Sequence, residues 1–364
     1  MMLQNLELTK TTLTFTHTAL INAYSTRNLG DAAILRSIIG LVPGGRADAV
    51  IAEAEPLPIP GLTLVRSHRA PGPRISVGGD IFNNARPWFV TRNFALNIAK
   101  LREHPNRTIS FGQTIPESCR GIALKWLVLA LKALPAVITR DFESYSLLRQ
   151  HGVQAQLSWD VAFVTKTDTA ANARARMLYE EQGLEPERTA VISVRPFDRM
   201  YPHDQIRMQS QLLTLATTLL NRGHQVALLL QSDVSTADSD RLVLEEIRRV
   251  APRLAVLDFM AKREDTDPVA TFTSALGMAH IAVAVRYHTS ILRLASGRQP
   301  YNLYYSRKGV DLQNRLNLSG TSLSHFDAET AIKAIEATAE KPFDAGFIQR
   351  DISDRFASAL RLIA

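Results

Sequence analysis

Basic side chains and one histidine stand where predicted strands end, and together they indicate a site for a small anion. Arg286 ends one predicted strand, His288 opens the helix that follows it, and Lys308 follows the next strand. Arg140 ends a predicted strand in the amino-terminal half. Guanidinium groups form paired hydrogen bonds with carboxylate or phosphate, so we expect Arg286, Lys308 and Arg140 to bind a small polyanion. Structural ion pairs with neighbouring carboxylates explain the same residues about equally well.

His288 is the candidate for proton transfer. The helix amino terminus lowers the pKa of the imidazole and a bound anion raises it, so we expect His288 to exchange a proton near neutral pH. Asp160 follows a short apolar run and is predicted to orient either an acceptor hydroxyl or the base. A buried structural carboxylate is an equal alternative for Asp160.

Two glycine-containing turns are candidates for contact with a substrate. Asn28, Gly30 and Asp31 follow the first predicted strand and begin a helix, and we expect a tight turn at Gly30 with backbone amides directed at the cleft. A plain helix cap by Asn28 or Asp31 accounts for them nearly as well. Gly78 and Gly79 follow another strand and would let the backbone approach a substrate, although a glycine pair is more often only a turn.

The scaffold that must position these residues is predicted to be α/β. Short apolar runs alternate with longer amphipathic runs, which is typical of parallel sheets with crossover helices. In such sheets, ligands bind beyond the carboxyl ends of the strands. The predicted strands cover residues 13–20, 49–52, 75–78, 108–112, 136–139, 190–195, 225–231, 255–259, 281–286 and 301–305.

The chain of 364 residues is long enough for two domains, each with its own apolar core. A polar stretch at 166–188 is predicted to link an amino-terminal domain, 1–165, to a carboxyl-terminal domain, 189–364. Cys119 is the single cysteine and forms no internal disulfide, so we expect a reducing, cytoplasmic location.

The net charge of +7 lies mainly in the first 165 residues, where 17 basic side chains stand against 11 acidic ones. Such a domain attracts anionic partners in general. The sequence has no run of five like charges, no zinc spacing and no signature of an RNA-binding sheet, so nucleic acid is not an expected partner. No acidic cluster predicts a metal site.

The most apolar run, 122–138, carries Lys125, Lys132 and Pro135 and is not expected to span a membrane. A buried crossover helix is the favoured interpretation, because a strand follows at once. The alternative is a helix that docks peripherally on an anionic membrane.

In their order and spacing these segments resemble the polysaccharide pyruvyl transferase family. The Asn-x-Gly-Asp pattern of the family is matched at 28–31, and its Gly-Gly-Gly loop is matched in part at 78–80. Its Arg-Asp-x-x-Ser pattern is matched at 140–144, and its Asp before a small apolar turn at 160–163. The most specific match is Arg286-Tyr287-His288, followed by Gly297, Pro300 and Lys308.

The resemblance implies two Rossmann-like domains with parallel sheets facing a cleft, as in GT-B glycosyltransferases. It implies transfer of an enolpyruvyl unit from phosphoenolpyruvate to a sugar as a cyclic ketal. The donor would contact Arg286, His288 and Lys308, with Arg140 reaching from the other domain. Phosphoenolpyruvate is then the donor substrate with no further cofactor, and the acceptor is a glycan or its lipid-linked precursor.

The sequence departs from the family pattern at three places. Tyr287 replaces a Leu, and we expect its side chain to point away from the rim of the cleft. Asp80 replaces a Gly, and Ile115-Pro116 replaces Gly-Pro, both in the wall where the acceptor would lie. Two other functions fit the same fold class, a nucleotide-sugar glycosyltransferase and a non-catalytic binder of anionic polymer. The oligomeric state is not predicted.

Overall fold

A computed structural model describes residues 17–68, 72–84, 88–197, 204–234, 238–261 and 266–363, and it contains two parallel sheets. The amino-terminal sheet has seven strands in the order β3-β2-β1-β4-β5-β6-β7. Its strands are β1 (Ala19–Ile21), β2 (Ala47–Ala49), β3 (Leu62–Leu64), β4 (Arg74–Gly79), β5 (Thr108–Gln113), β6 (Ala136–Thr139) and β7 (Ala155–Leu157).

The carboxyl-terminal sheet has six strands in the order β10-β9-β8-β11-β12-β13. Its strands are β8 (Thr189–Ser193), β9 (Gln225–Leu230), β10 (Ala255–Asp258), β11 (Ile281–Ala284), β12 (Tyr301–Tyr304) and β13 (Gly320–Ser322). Both sheets have a doubly wound order, in which the strand sequence reverses beside the first strand of the sheet. That reversal opens a crevice at the carboxyl edge of each sheet.

Helices cover both faces of each sheet. They are α1 (Leu29–Leu41), α2 (Arg92–Glu103), α3 (Ile122–Leu131), α4 (Phe142–Gln150), α5 (Thr169–Glu180), α6 (Gln205–Asn221), α7 (Asp240–Val250), α8 (Pro268–Met278), α9 (Tyr287–Ala295), α10 (Arg307–Leu316), α11 (Ala328–Glu336) and α12 (Gly346–Arg361). Right-handed crossovers put α1 on one face of the first sheet and α2, α3 and α4 on the other, because the strand order runs outward from β1 in opposite directions.

The last helix ties the two domains together. Although α12 follows the carboxyl-terminal sheet in sequence, Phe356 on α12 is buried against Phe111 of β5, with ring centroids 5.1 Å apart. On the same helix, the side-chain amide of Gln349 donates to the carbonyl oxygen of Phe163 at 3.0 Å. The residues 346–361, which the sequence assigns to the carboxyl-terminal domain, therefore pack on the amino-terminal one.

The predicted fold class is confirmed, whereas several predicted elements are wrong. The strands β3, β7 and β13 were not predicted, and each is a three-residue strand at the edge of a sheet. Such a segment carries too few residues to show an alternation of apolar and polar side chains. The first predicted strand, 13–20, falls partly outside the described residues, and β1 begins at Ala19. The predicted strand 281–286 ends two residues early, so Arg286 caps α9 instead.

None of the helices in the described ranges is long and apolar enough to cross a membrane.

Replacement of Phe356 by Ala is expected to lower the free energy of unfolding by about 3 to 5 kcal/mol, because it leaves a cavity between α12 and the amino-terminal sheet. The measurement is urea unfolding followed by circular dichroism. Leu362→Ala, directly after the same helix, is the matched control, since that side chain is 59% exposed, and a loss of about 1 kcal/mol is expected. Equal losses in the two variants would contradict the docking role of α12.

Candidate functional site

The candidate site lies where the carboxyl edges of the two sheets face each other. Asp80 follows β4 and Arg140 follows β6 on the amino-terminal side. His288 stands in the first turn of α9, after β11, and Lys308 stands in the first turn of α10, after β12. Parallel strands deliver all of their carboxyl ends to one edge, so residues far apart in sequence meet across the cleft.

Arg140 is the most deeply buried cation of this site, with 1% of its side chain exposed. Its Nε donates to the hydroxyl oxygen of Thr114 at 2.7 Å. One terminal nitrogen donates to Oδ2 of Asp160 at 2.5 Å, and the other donates to Oδ1 of Asp80 at 3.2 Å. These three contacts hold the planar guanidinium in one orientation, facing the cleft.

Asp80 links the two domains through its carboxylate. One oxygen accepts from Arg140 of its own domain, and the other accepts from Nζ of Lys308 in the opposite domain. Within the described part of the chain, Asp80 is the only carboxylate that forms a salt bridge with Lys308. A single carboxylate therefore lies between two cations that approach from opposite walls of the cleft.

His288 faces the same cluster and is mostly buried. Its Nε2 lies 3.5 Å from Oδ2 of Asp160. Burial lowers the pKa of His288, the Asp160 carboxylate opposes that shift, and the charges of Arg140 and Lys308 reinforce it. The imidazole is therefore neutral at pH 7.

Asp160 stays ionised beside this imidazole. Although burial alone would raise the pKa of Asp160, the charge of Arg140 and the contact with His288 hold it well below its usual range. The other oxygen of Asp160 accepts from the backbone N–H of Ala162 at 2.9 Å and caps the short turn Val161–Val164. The residue therefore neutralises Arg140 and lies beside His288, as the structural alternative expects, and its role in orienting a hydroxyl or a base stays a prediction.

The beginning of α1 packs directly against the imidazole. A Cβ atom on Gly30 would lie 2.1 Å from Nδ1 of His288, so only glycine fits there. The backbone N–H of Gly30 donates to Oδ1 of Asn28 at 3.0 Å, and that of Leu29 donates to the carbonyl oxygen of Gln231 at 3.0 Å. The expectation that these amides are directed at the cleft is therefore wrong for residues 29 and 30, because both N–H groups are already used within the protein. The cap by Asn28 is the observed role of that side chain.

Asp31 brings a third kind of group to the cleft. Among the described residues its carboxyl forms no hydrogen bond or salt bridge. Burial and the charge of Asp238 raise its pKa to about 7, against the opposing charges of Lys308 and Arg140. Near neutral pH, Asp31 therefore holds a proton about half of the time.

Arg286 lies in a buried ion-pair network. Its Nε and one terminal nitrogen donate to Oδ1 of Asp240 at 2.8 and 2.5 Å. The other terminal nitrogen donates to Oδ2 of Asp238 at 3.3 Å. Asp240 also accepts the backbone N–H groups of Gln231 and Ser232, at 3.0 and 2.9 Å. The guanidinium thus connects the end of β11 to the start of α7. Its contact with a donor anion stays a prediction.

Gly78 and Gly79 lie at the end of β4, and packing explains the first of them. A Cβ on Gly78 would approach the carbonyl oxygen of Gly112 on the neighbouring strand to 2.2 Å. The carbonyl oxygen of Gly79 accepts from the side-chain amide of Gln113 at 2.7 Å. Contact of these glycines with a substrate stays a prediction.

Tyr287 corrects one expectation from the sequence. Its ring lies under both cations, with the guanidinium carbon of Arg140 5.4 Å and Nζ of Lys308 5.2 Å from the ring centroid. The side chain was expected to point away from the rim, but it lies at the rim itself. The electron-rich face of the ring stabilises two cations that would otherwise repel each other.

Sequence reasoning missed the carboxylates that pair with the predicted cations, namely Asp80, Asp238 and Asp240. A signal for them was present, because Asp238 and Asp240 follow β9 and therefore reach the same edge of the sheet as Arg286. It also missed Arg315, whose guanidinium carbon lies 3.4 Å from the ring centroid of Trp159. Arg315 donates to the carbonyl oxygens of Arg140 and Ser158 and so joins α10 to the opposite domain.

Within the described ranges, no group of three or more His, Cys, Asp or Glu side chains is placed to hold a metal ion. The prediction that the reaction needs no metal is not tested by this observation.

Comparison with known proteins identifies one family. The model of the family described as "Polysaccharide pyruvyl transferase" matches residues 28–307. No curated protein sequence matches the chain.

Solved structures agree in fold. The alpha,alpha-trehalose 6-phosphate synthase from Burkholderia multivorans is 12% identical, with a TM-score of 0.54 over 95% of this chain and 97% of that one. The UDP-N-acetylglucosamine 2-epimerase from Rickettsia bellii is 9% identical, with a TM-score of 0.51 over 95% of each chain. At these identities the likeness shows two Rossmann-like domains in a GT-B-like arrangement and nothing about the reaction.

The raised pKa of Asp31 predicts a pH-dependent effect of Asp31→Asn on stability. The folded state binds the proton of Asp31 more tightly than the unfolded state does. Below about pH 4 the carboxyl is protonated in both states and does not lower the free energy of unfolding, and as the pH rises through about 7 its ionisation lowers that free energy progressively. Asp31→Asn is therefore expected to raise the free energy of unfolding by about 2 kcal/mol or more at pH 8 and to change it little at pH 4.

Urea unfolding of both proteins across that pH range is the measurement. Asp354→Asn, at an exposed position on α12, is the matched control and should leave the difference near zero at every pH. A stability difference between Asp31→Asn and the unmodified chain that does not vary with pH would contradict the assignment.

Proposed function

This chain belongs to the polysaccharide pyruvyl transferase family and is a transferase, and we propose that it moves an enolpyruvyl unit from phosphoenolpyruvate to two hydroxyl groups of a glycan, forming a pyruvate ketal. The observation that carries the proposal is the pair Arg140 and Lys308, which reach one carboxylate from opposite domains beside a neutral imidazole. A family of this kind implies a glycan acceptor and a separate donor. The identity of the donor is part of the proposal.

The size and charge of phosphoenolpyruvate fit this pair. The donor carries a carboxylate and a phosphate close together, and each accepts paired hydrogen bonds from a guanidinium group or a charge-assisted hydrogen bond from an ammonium group. In the free protein the carboxylate of Asp80 occupies the position between Arg140 and Lys308. Donor binding therefore replaces Asp80 with a carboxylate or phosphate oxygen, which keeps the two cations neutralised and releases the Asp80 side chain.

The proton steps follow from the environments of two titratable groups. A hydroxyl oxygen of the acceptor attacks C2 of the donor, the C2–C3 double bond takes up a proton at C3, and the hydroxyl proton leaves. The C2–O bond to phosphate then breaks, and the second hydroxyl attacks C2 with loss of its proton. Neutral His288, oriented by Asp160, is the group placed to accept a hydroxyl proton, and Asp31 is the group that holds a proton at neutral pH for delivery to C3.

Lys308 and Arg140 stabilise the charge on the departing phosphate, and burial of the site strengthens both interactions. Arg286 pairs with Asp238 and Asp240 and so joins the start of α9 to the start of α7 behind the cation pair. We propose that an N–H group of Arg286 that these carboxylates leave unused contacts phosphoenolpyruvate. Gly30 lets His288 lie against α1, so the acid on α1 and the base on α9 are adjacent. The proposal places the reaction in the cytoplasm, on a cell-surface glycan or on its lipid-linked precursor.

Turnover that depends on both substrates is the direct test. Phosphate release from phosphoenolpyruvate is expected only when a glycan acceptor is present, and the product gains the mass of a pyruvate ketal. His288→Ala is expected to lower kcat by about 100-fold or more and to change donor affinity by less than about tenfold, because proton transfer, not binding, is removed.

His151→Ala, at an exposed position after α4, is the matched control and should keep full activity. Full activity of His288→Ala would remove the imidazole from the mechanism. Consumption of a nucleotide sugar, with no phosphate released from phosphoenolpyruvate, would instead favour a GT-B glycosyltransferase.

The competition between Asp80 and the donor predicts an unusual effect of Asp80→Asn. Loss of the internal anion leaves Lys308 and one terminal nitrogen of Arg140 available to the donor, so the Kd of phosphoenolpyruvate is expected to fall by about tenfold, equivalent to about 1.4 kcal/mol. Calorimetric titration with the donor alone measures it. Glu117→Gln removes the same charge from an exposed pair with Arg307 and should change Kd by less than about twofold. Weaker donor binding in Asp80→Asn would contradict the exchange.

A further inference from the structure

The outer face of α3 is apolar although it faces solvent. Ile122, Trp126 and Leu129 are 46%, 48% and 67% exposed. Their spacing of four and three residues puts them in one row along the helix. The opposite face of the helix, which includes Ala123 and Leu127, is buried in the core beneath the sheet. The helix is thus a crossover helix, as expected, and also presents an apolar stripe.

Neighbouring segments extend this stripe into a surface. Trp88 is 88% exposed and Phe89 is 49% exposed in the loop before α2. Leu96 on α2 is 50% exposed. Because α2 and α3 pack side by side on the same face of the sheet, their exposed side chains point outward in the same direction. We call these six side chains, together with the exposed basic residues Arg92, Arg120, Lys125 and Lys132, the α2–α3 surface.

The charge of this region is exceptional within the chain. Residues 81–139 hold eight Lys or Arg and two Asp or Glu, a net charge of +6 out of +7 for the whole protein. All other residues together therefore carry a net charge of only +1. Arg92, Arg120, Lys125 and Lys132 are exposed on or beside α2 and α3. Apolar side chains ringed by basic ones are the pattern of a surface that enters the interface of an anionic bilayer.

We propose that the α2–α3 surface binds anionic membranes, with Trp126 and Leu129 entering the boundary between head groups and acyl chains, and Lys125 contacting lipid phosphates. A second copy of the chain fits less well, because face-to-face pairing would bring two strongly basic surfaces together. Tryptophan is the side chain best suited to this depth, since its ring is apolar and its N–H reaches water.

The surface also has a fixed relation to the cleft. Ile122 begins α3, and Trp88 lies in the loop before α2. Both helices begin at the carboxyl edge of the sheet, where Asp80 and Arg140 lie. If the proposed function holds, a glycan attached to a membrane lipid would enter the cleft from this side. The membrane binding itself does not depend on the reaction.

Co-sedimentation of the full chain with phospholipid vesicles tests the proposal without donor or acceptor. The protein is expected to bind vesicles that contain phosphatidylglycerol and to ignore vesicles of phosphatidylcholine alone, with binding that weakens as salt is raised. The double variant Trp126→Ser/Leu129→Ser is expected to lose about tenfold or more in partition coefficient, and Lys125→Glu about fivefold or more.

Matched control variants on α7 distinguish binding by the α2–α3 surface from non-specific binding by any exposed apolar side chain. Leu242 and Val250 are 51% and 73% exposed, and the double variant Leu242→Ser/Val250→Ser should bind as the unmodified chain does. Thermal unfolding verifies that each variant is folded. Two results would overturn the proposal: equal vesicle binding in the Trp126→Ser/Leu129→Ser variant, or a dimer in sedimentation velocity that this variant abolishes while vesicles are ignored throughout. Because no substrate is present, a failure of the proposed reaction leaves the vesicle result interpretable.

Discussion

Two cations that approach each other across a cleft repel unless an anion lies between them, and in this protein Asp80 supplies that anion. Its carboxylate accepts from Arg140 on one wall and from Lys308 on the other. The ring of Tyr287 lies against both cations and shares in their stabilisation. In the proposed function, this arrangement keeps the binding position for the donor anion formed in the free protein, with Asp80 as an internal competitor. The contact of Asp80 joins the two domains at the cleft, in addition to the contacts of α12 and Arg315.

Around this contact the fold shifts the pKa values of two titratable groups in opposite directions. His288 has lost affinity for its proton because it is buried beside two cations, and Asp31 has gained affinity because it is buried beside another carboxylate. The two groups lie on adjacent helices that touch at Gly30. In the proposed reaction, Asp31 supplies a proton from the fraction that is protonated near pH 7, and neutral His288 accepts one. Asp160 lies beside the imidazole of His288 and neutralises Arg140.

The sequence predicted the α/β class, the two sheets and the meeting of Arg140, His288 and Lys308, because strand ends in parallel sheets converge on one edge. It did not predict the partners of those cations, since an ion pair depends on side-chain direction and on distance across a cleft. Arg286 shows the difference. Its position at the sheet edge was readable from the alternation of strands and helices, but its contacts with Asp238 and Asp240 depend on how α7 begins. The role of Gly30 was also hidden, because the residue that requires it is more than 250 positions away.

We propose that Asp80 occupies, in the free protein, the place that the donor anion takes between Arg140 and Lys308. A crystal structure of the chain with phosphoenolpyruvate bound tests it most directly. The account predicts a carboxylate or phosphate group of the donor in contact with both Arg140 and Lys308, the donor C2–C3 bond beside His288, and the Asp80 side chain turned away. Donor bound elsewhere, with Asp80 still bridging the two cations, would contradict it.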